Sequence, residues 1–229
     1  MDKIQGGKMK VELIANTVLE LPVHAMSKCY GFNTTEKSLI NACKSGHLSL
    51  LEHAYATFDI EMSQKCLAQI TRHRQLSFTV KSTRGTDFSD GGYFDSHEHD
   101  WGETVNKDLV SEHMNNSIQE QINKYQRLVE NGVPYQIAAY VLPLATNVTM
   151  TVTGNLRAWL EYLPKRLCKR ASREHQMIAR EIYKQLNKAY PDLFTLEILG
   201  MCEGCKETSC DFTSHKKQTK TPVRKELPE

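Results

Sequence analysis

Four permanent cations, Arg72, Arg74, Lys81 and Arg84, and one imidazole, His73, sit between Gln69 and Arg84 among hydroxyl and amide groups, with no carboxylate to neutralise them. Such a cluster predicts an anionic ligand. Guanidinium groups are planar forks that meet phosphate oxygens two at a time, so arginine beside serine and glutamine suits a nucleotide-like molecule. The same residues also fit a solvated basic loop, or a phosphate-contacting patch on a nucleic-acid binder, because charge runs are most often surface.

Spacing separates these readings. Arg72-His73-Arg74 is followed after seven residues by Ser82 and then by Arg84. Upstream lies Gly46-His47-Leu48-Ser49-Leu50-Leu51-Glu52-His53; downstream come Leu142-Pro143-Leu144, Asn155-Leu156-Arg157 and Arg166. In this order, over roughly residues 40 to 185, the blocks resemble the signature of the flavin-dependent thymidylate synthase (ThyX) family. The resemblance implies an α/β (α+β) fold with a central, mainly antiparallel sheet flanked by long helices. It also implies bound FAD, dUMP as substrate, methylenetetrahydrofolate and NADPH as cosubstrates, dTMP as product, and a homotetramer with shared active sites.

Residue roles follow from the same resemblance. Arg72, His73, Arg74 and Gln75 would contact flavin, with His73 near the reacting ring. Ser82 and Arg84 would bind the nucleotide and, with His73, stand closest to the chemistry. Gln69 and Arg166 would help hold the nucleotide's phosphate and base. Asn155 and Arg157 would approach the flavin from another subunit, and His47, Ser49 and Glu52 would line the flavin and folate side. Thr79 and Glu161 are grouped with the flavin-binding residues. Ser82 has no base paired with it in sequence, so a hydrogen-bonding role is expected of it rather than a nucleophilic one.

Several positions depart from the family pattern. Thr79-Val80 stands where Asn-Glu is usual, Ala139 where many members have Arg, Glu161 in place of a common Asn, and Ser172 in place of Gln. Each charge-assisted hydrogen bond lost this way is worth about 1.5 to 3 kcal/mol if uncompensated. A divergent enzyme is therefore a near alternative, acting on C5 of another deoxypyrimidine monophosphate such as dCMP, or transferring a hydroxymethyl group. The alternative of a different class is a nucleic-acid-binding module with a zinc knuckle built from Cys202, Cys205, Cys210 and His215.

Composition narrows the field. With 229 residues, 40% hydrophobic and 24% charged, the chain is long enough for a real core and reads as an ordinary soluble protein. A net charge of +2 is too small for indiscriminate nucleic-acid binding, so any positive field is local. No apolar run reaches the roughly 18 to 20 residues of a membrane helix, and the start lacks a signal-peptide core, so a cytoplasmic protein without membrane or nucleic-acid partner is expected. Seven cysteines, an odd number in a chain without secretion features, predict reduced thiols. Residues 1 to 200 are expected to form one catalytic domain, and 201 to 229 a polar, cysteine-bearing tail that is disordered in part.

The elements that must position the cluster are also legible. Strict alternation predicts strands over Ala54 to Met62 and over residues 145 to 153; a shorter apolar run, Val11 to Leu19, predicts a first strand before a Pro22-centred turn. Asn33-Thr34-Thr35 offers caps for a helix through Cys43 that Gly46 stops, and Ser63 caps a helix through Ile70. That second helix would carry the Arg-His-Arg cluster at its end, where cations complement the helix dipole. A long helix is predicted from Thr104 to Asn131, with Leu109, Ile118, Ile122, Tyr125 and Val129 at apolar spacing. A short helix from Gln136 to Val141 follows. Gly154-Asn155 opens a further one, with Leu156, Trp159, Leu160 and Leu163 on one side, Arg157 and Glu161 on another, and Pro164 ending or kinking it. A last helix spans Ala171 to Ala189. Between Arg84 and Glu103 the chain turns glycine-rich and acidic and reads as a long mobile loop of the kind that serves as a lid. Its His97-Glu98-His99-Asp100, with no second ligand cluster, predicts no metal site.

Overall fold

The computed structural model describes residues 9–95, 106–208 and 210. The chain divides into two compact units, one of residues 1–11, 59–74 and 78–152, the other of residues 12–58, 75–77 and 153–229. Strands β1 (Lys10–Asn16), β2 (Tyr55–Ser63), β3 (Ser77–Val80) and β4 (Asn147–Asn155) form a sheet of order β1-β2-β4-β3. Thr57 pairs with Thr153, and Asp59 with Thr151, so the pairing descends one strand as it climbs the other: β2 and β4 are antiparallel. The helices are α1 (Glu20–Tyr30), α2 (Glu36–Lys44), α3 (Gln64–Ile70), α4 (Lys107–Glu130), α5 (Tyr135–Ala138), α6 (Leu156–Arg166), α7 (Arg173–Ala189) and α8 (Leu196–Leu199).

The alternation in β2 does what its period dictates. Ala56, Phe58, Ile60 and Met62 are buried, and on the other face Tyr55 and Asp59 are exposed and Glu61 is half-buried, with Thr57 the exception, buried against Thr153 by a hydroxyl contact of 2.9 Å. In β4, Val148, Met150 and Val152 are buried and Thr149 is exposed. Each fully buried aliphatic or phenyl side chain contributes roughly 1.5 to 3 kcal/mol, which fixes which face of each strand turns inward. Local capping follows the sequence as well: the Thr35 hydroxyl accepts from Ser38 N at 3.2 Å, and Ser63 Oγ from Cys66 N at 3.1 Å.

In the second unit, α6 is built around Trp159. Asn155 Oδ1 caps the helix by accepting from Ala158 N at 2.8 Å. Trp159 is fully buried, donates its indole N–H to Ala56 O at 3.0 Å, and meets Phe58 and Tyr162 edge to face. Gly154 leaves room for this packing: a Cβ there would lie 2.3 Å from Leu76 Cδ2, which would have to move, and 3.2 Å from the indole nitrogen.

Five sequence expectations are corrected. Pro22 lies inside α1 rather than in a turn, because it falls in the first helical turn, where a backbone N–H would have no intrahelical partner. Of the two outcomes expected at Pro164, an end or a kink, the end is excluded: α6 continues to Arg166, and so close to the C-terminus the ring removes a bond only from the last turns. Leu109, expected on the apolar stripe of α4, is 52% exposed, whereas Ile118, Ile122 and Tyr125 are buried. The segment after Arg84 is not a loose loop as far as Asp95. Phe88, Tyr93 and Phe94 are buried among its glycines and acids, Phe94 N donates to Ala145 O at 2.9 Å, and Tyr93 bridges Thr146 in antiparallel fashion. Finally, β3 and α8 appear where no element was expected; β3 is short and lies inside the charged cluster, where period-two signal is faint. The residues 97–100 acidic and histidine cluster lies outside the described residues, as does His215.

Candidate active site

Arg72, His73 and Arg74 emerge directly from the end of α3. Thr71 N closes the helix on Leu67 O at 3.1 Å, and His73 N bonds Ile70 O at 3.0 Å, so the cluster is held against a helix terminus as its composition suggested. Arg72 and Arg74 are exposed and His73 is half-buried; Gln69, on α3, is half-buried, and Gln75 is exposed. β3 follows, and Lys81 N bonds Thr149 O at 2.9 Å. The Lys81 ammonium rests 4.2 Å from the centre of the Phe88 ring, a cation–π contact that fixes a long side chain.

Ser82 organises the turn that carries Arg84. Its hydroxyl oxygen accepts from Arg84 N at 3.2 Å, and its carbonyl accepts from Gly85 N at 3.3 Å, Thr86 N at 3.1 Å and Thr86 Oγ1 at 2.7 Å. The hydroxyl proton is left to donate, which suits a ligand-binding group better than a nucleophile, for which a neighbouring base is needed. Arg84 is exposed. Among the described residues, the guanidinium groups of Arg72, Arg74 and Arg84 enter no ion pair.

Beside this turn, within the first unit, lies a cavity of about 520 Å³. Thr79, Val80, Lys81, Ser82 and Thr86 line it together with Asp59, Glu61, Thr149 and Thr151 from the polar face of the sheet, Lys10, and Ile60 and Met150. Both carboxylates are already oriented, Asp59 by the Thr151 hydroxyl at 2.6 Å and Glu61 by the Asn147 amide at 3.0 Å. Thr79 and Val80, two of the departures from the family pattern, therefore face a space large enough for a nucleotide-sized ligand. The sheet-face residues were not singled out from sequence, although the alternation of Asp59, Glu61, Thr149 and Thr151 opposite the buried positions was the signal that places them together.

The segment beyond the turn is pinned to α4. Asp87 Oδ1 accepts from Ser89 N at 2.8 Å, Ser89 Oγ at 2.7 Å and Tyr125 Oη at 3.2 Å, while Tyr125 Oη accepts from Phe88 N at 3.1 Å. Burial pushes the Asp87 carboxyl up, but the hydrogen bonds from Ser89, Tyr125 and Phe88 together outweigh it and hold the group below its ordinary range. Burial raises the Tyr125 phenol. Gln126 Nε2 adds a bond to Ser89 O at 2.8 Å. The bond between Asp87 and Tyr125 was not expected from sequence, because a partnership across 38 positions leaves no local pattern.

A second group of expected site residues gathers in the other unit. Arg157, on the first turn of α6, donates from Nη1 to Glu52 Oε1 at 2.6 Å and from Nε to Glu161 Oε1 at 2.9 Å. The Glu161 bond, then the Glu52 bond, raise the guanidinium further above its already high value. The face shared by Arg157 and Glu161 at a spacing of four is thus realised as an ion pair, and the Glu that replaces the family's Asn is what closes it. His47 and Ser49 are exposed and flank the start of a short 3-10 turn, Leu48–His53, that presents Glu52. His53 ends that turn, exposed. Arg166 is half-buried at the C-terminus of α6, and Ser172 precedes α7 without capping it through its side chain.

The fit to an anionic dinucleotide cofactor divides along the same line. Arg72, Arg74 and Arg84 have their forks available, as a pyrophosphate requires. Arg157 has spent two of its five donors on carboxylates, and Asn155 has its amide oxygen committed to the helix cap, so each can offer a ligand only what remains. Among the described residues no three His, Cys, Asp or Glu side chains come together as a metal-binding group, and no helix is long and apolar enough to cross a membrane.

Comparison with known proteins gives the decisive observation: the profile of the family described as thymidylate synthase complementing protein matches residues 12–192. The chain belongs to the flavin-dependent thymidylate synthase family. It is 31% identical over 205 residues to the flavin-dependent thymidylate synthase of Wolinella succinogenes, a match covering 84% of this chain and 100% of the relative. It is 36% identical over 160 residues to a probable flavin-dependent thymidylate synthase of Mycobacterium phage L5, covering 65% of each chain. With the enzyme of Saccharolobus solfataricus it shares 34% over 155 residues, 67% of this chain and 58% of that one. The matched region therefore spans less than two thirds of the length of the latter two relatives. A crystal structure of a UMP/dUMP methylase, PolB from Streptomyces cacaoi, bound with 5-Br dUMP, superposes with a TM-score of 0.70 at 22% identity, covering 82% of this chain and 94% of that one. That likeness establishes the shared fold, the mixed arrangement of antiparallel sheet and long helices expected of the family.

Proposed function

We propose that the protein is an FAD-dependent enzyme that methylates C5 of dUMP to give dTMP, taking its carbon from methylenetetrahydrofolate and its electrons from NADPH, as a homotetramer with shared active sites. The observation that carries this reading is the family's Arg-His-Arg at the end of α3 and its Ser82 and Arg84 in a hydrogen-bonded turn, the three arginines in no ion pair among the described residues and Ser82 lining a cavity of about 520 Å³. Reduced flavin, when bound, supplies the hydride that completes the methyl group.

In this reading, Arg72 and Arg74 bind cofactor phosphate with Gln75 beside them, and His73 lies against the reacting ring. Ser82 donates its remaining proton to the nucleotide, and Arg84, with Gln69 and Arg166, holds its phosphate and base. Cationic groups next to the pyrimidine stabilise negative charge that develops on the ring during substitution at C5, an electrostatic role that gains strength as water is excluded. His47, Ser49, Glu52, Asn155, Arg157 and Glu161 serve the flavin and folate side.

The departures at Thr79 and Val80 favour a second, narrower reading: both residues line the cavity, and a pocket without the family's amide and carboxylate suits an altered pyrimidine such as that of dCMP. One experiment tests both. Protein reconstituted with FAD is incubated with the folate donor, NADPH and either dUMP or dCMP, and the products are weighed by mass spectrometry. dUMP converted to a product of dTMP mass is the expected result; dUMP left unaltered while dCMP gains a carbon establishes the narrower reading and overturns the first.

A further inference from the structure

Beyond α8, the chain makes two tight turns in succession. Glu203 N bonds Gly200 O at 2.9 Å, and Cys205 N bonds Cys202 O at 3.3 Å. The second is a four-residue turn with a cysteine at each end, and in such turns the terminal Cα atoms lie within about 7 Å. Disulfides span Cα separations of about 4.4 to 6.8 Å, a range that overlaps the separation such a turn allows. Its conformation is already set in the thiol form. Cys202 has φ 66°, the one non-glycine residue with left-handed backbone among the described residues, and Gly204 follows with φ 62°. L-residues adopt that conformation when the surrounding structure imposes it, and Met201, 1% exposed, anchors the turn next door. Both cysteines are thiols and half-buried, so a small reagent can reach them.

We propose that Cys202 and Cys205 form a reversible dithiol/disulfide site. Two other chemistries compete for the same residues. A zinc knuckle would need four ligands, Cys210 and His215 besides this pair, whereas disulfide exchange needs only the two cysteines of the turn. Simple thiol reactivity would favour the exposed Cys29, which has no cysteine three residues away. Cys43 is removed from the contest, since burial pushes its thiol up to about 11.

The step is thiol–disulfide exchange with a small disulfide such as oxidised glutathione. One cysteine thiolate attacks a sulfur of the reagent, forming a mixed disulfide and expelling one glutathione thiolate. The second cysteine thiolate then attacks the protein sulfur of that mixed disulfide, closing the ring and expelling the other glutathione. The protein gives up two electrons and two protons, and the two released thiolates take up the protons. The site needs neither flavin nor nucleotide, so its test is independent of the enzymatic reading.

Folded full-length protein is incubated with graded ratios of oxidised to reduced glutathione, quenched with an alkylating agent, digested and mapped. Expected is the loss of both Cys202 and Cys205 from alkylation as a pair, as an internal cystine reopened by a dithiol reductant. In Cys205→Ser, Cys202 should instead stop as the glutathione adduct, which shows that Cys205 is the resolving thiol in the unaltered protein. The proposal is overturned by any of three results: Cys202 bridged to Cys210 instead, Cys29 modified while the pair remains alkylatable, or stoichiometric zinc carried by these thiols in the purified protein.

Discussion

Two sets of arginines in this chain stand in opposite electrostatic conditions. Arg72, Arg74 and Arg84 are exposed and meet no carboxylate among the described residues, whereas Arg157 is gripped by Glu52 at 2.6 Å and Glu161 at 2.9 Å. The difference teaches what each set can do. A guanidinium with its fork open waits for an external anion; one already paired is oriented by the protein and can add only its remaining donors to a ligand. The family signature treats all four as ligand contacts, whereas among the described residues three are in no ion pair and the fourth is held by two carboxylates.

The comparison breaks most severely if the platform under Arg157 is removed. Trp159→Ala deletes a fully buried indole that also donates to Ala56 O, and should cost about 3 to 5 kcal/mol, read as a lowered denaturant midpoint in equilibrium unfolding. A loss below about 1 kcal/mol would mean that α6 is not held by this packing.

Next in size is the open fork itself. Arg74→Ala should weaken FAD binding by about 1.5 to 3 kcal/mol, on the order of ten- to a hundredfold in Kd, with the unfolding midpoint unchanged. Lysine at the same place should restore only part of the affinity, because an ammonium cannot engage two phosphate oxygens in parallel. Full rescue by lysine would reduce the cluster to a diffuse positive field.

At Arg157 the expected effects are smaller and of another kind. Glu161→Gln removes one of two restraints on an exposed side chain, and such pairs stabilise folds little, so the unfolding midpoint should hardly move. Freed from Glu161, the guanidinium has more donors for an anion, and FAD affinity should rise or hold rather than fall. A clear loss of affinity in Glu161→Gln would show that the carboxylate itself touches the cofactor.

The smallest effect concerns the segment following the Ser82 turn. Asp87 has a folded pKa below its unfolded value of about 3.9, so its contribution is present above that pH and is lost as pH falls through the folded value. Asp87→Asn should flatten the acid limb of the stability profile and leave the neutral plateau nearly unchanged, as measured by thermal unfolding across pH 2 to 7 on the ordinary carboxylate scale. An unchanged acid limb would remove Asp87 from the network that anchors this segment to Tyr125.

Much of this was legible from residues alone, and the reasons differ from place to place. β2 and β4 were readable because alternation over eight or nine positions is a burial pattern in itself, as were the caps at Thr35, Ser63 and Asn155, which are local chemistry. Pro22 misled because proline means opposite things in a first helical turn and in a loop, and nothing nearby marks which. The bonds joining Asp87 to Tyr125 and Arg157 to Glu52 span 38 and 105 positions, and no window of sequence contains them. The Arg157–Glu161 pair, four apart on one helix, was readable for the opposite reason.

The central claim, that the open arginines of residues 72 to 84 receive a flavin dinucleotide, is tested most directly by one spectrum. Wild-type protein and an Arg72→Ala, Arg74→Ala double variant of equal stability are mixed with FAD, desalted by gel filtration and scanned in the visible. The account predicts a flavin band that stays with the wild-type protein and leaves the variant. A colourless wild type, or a variant that keeps the same band, would contradict it.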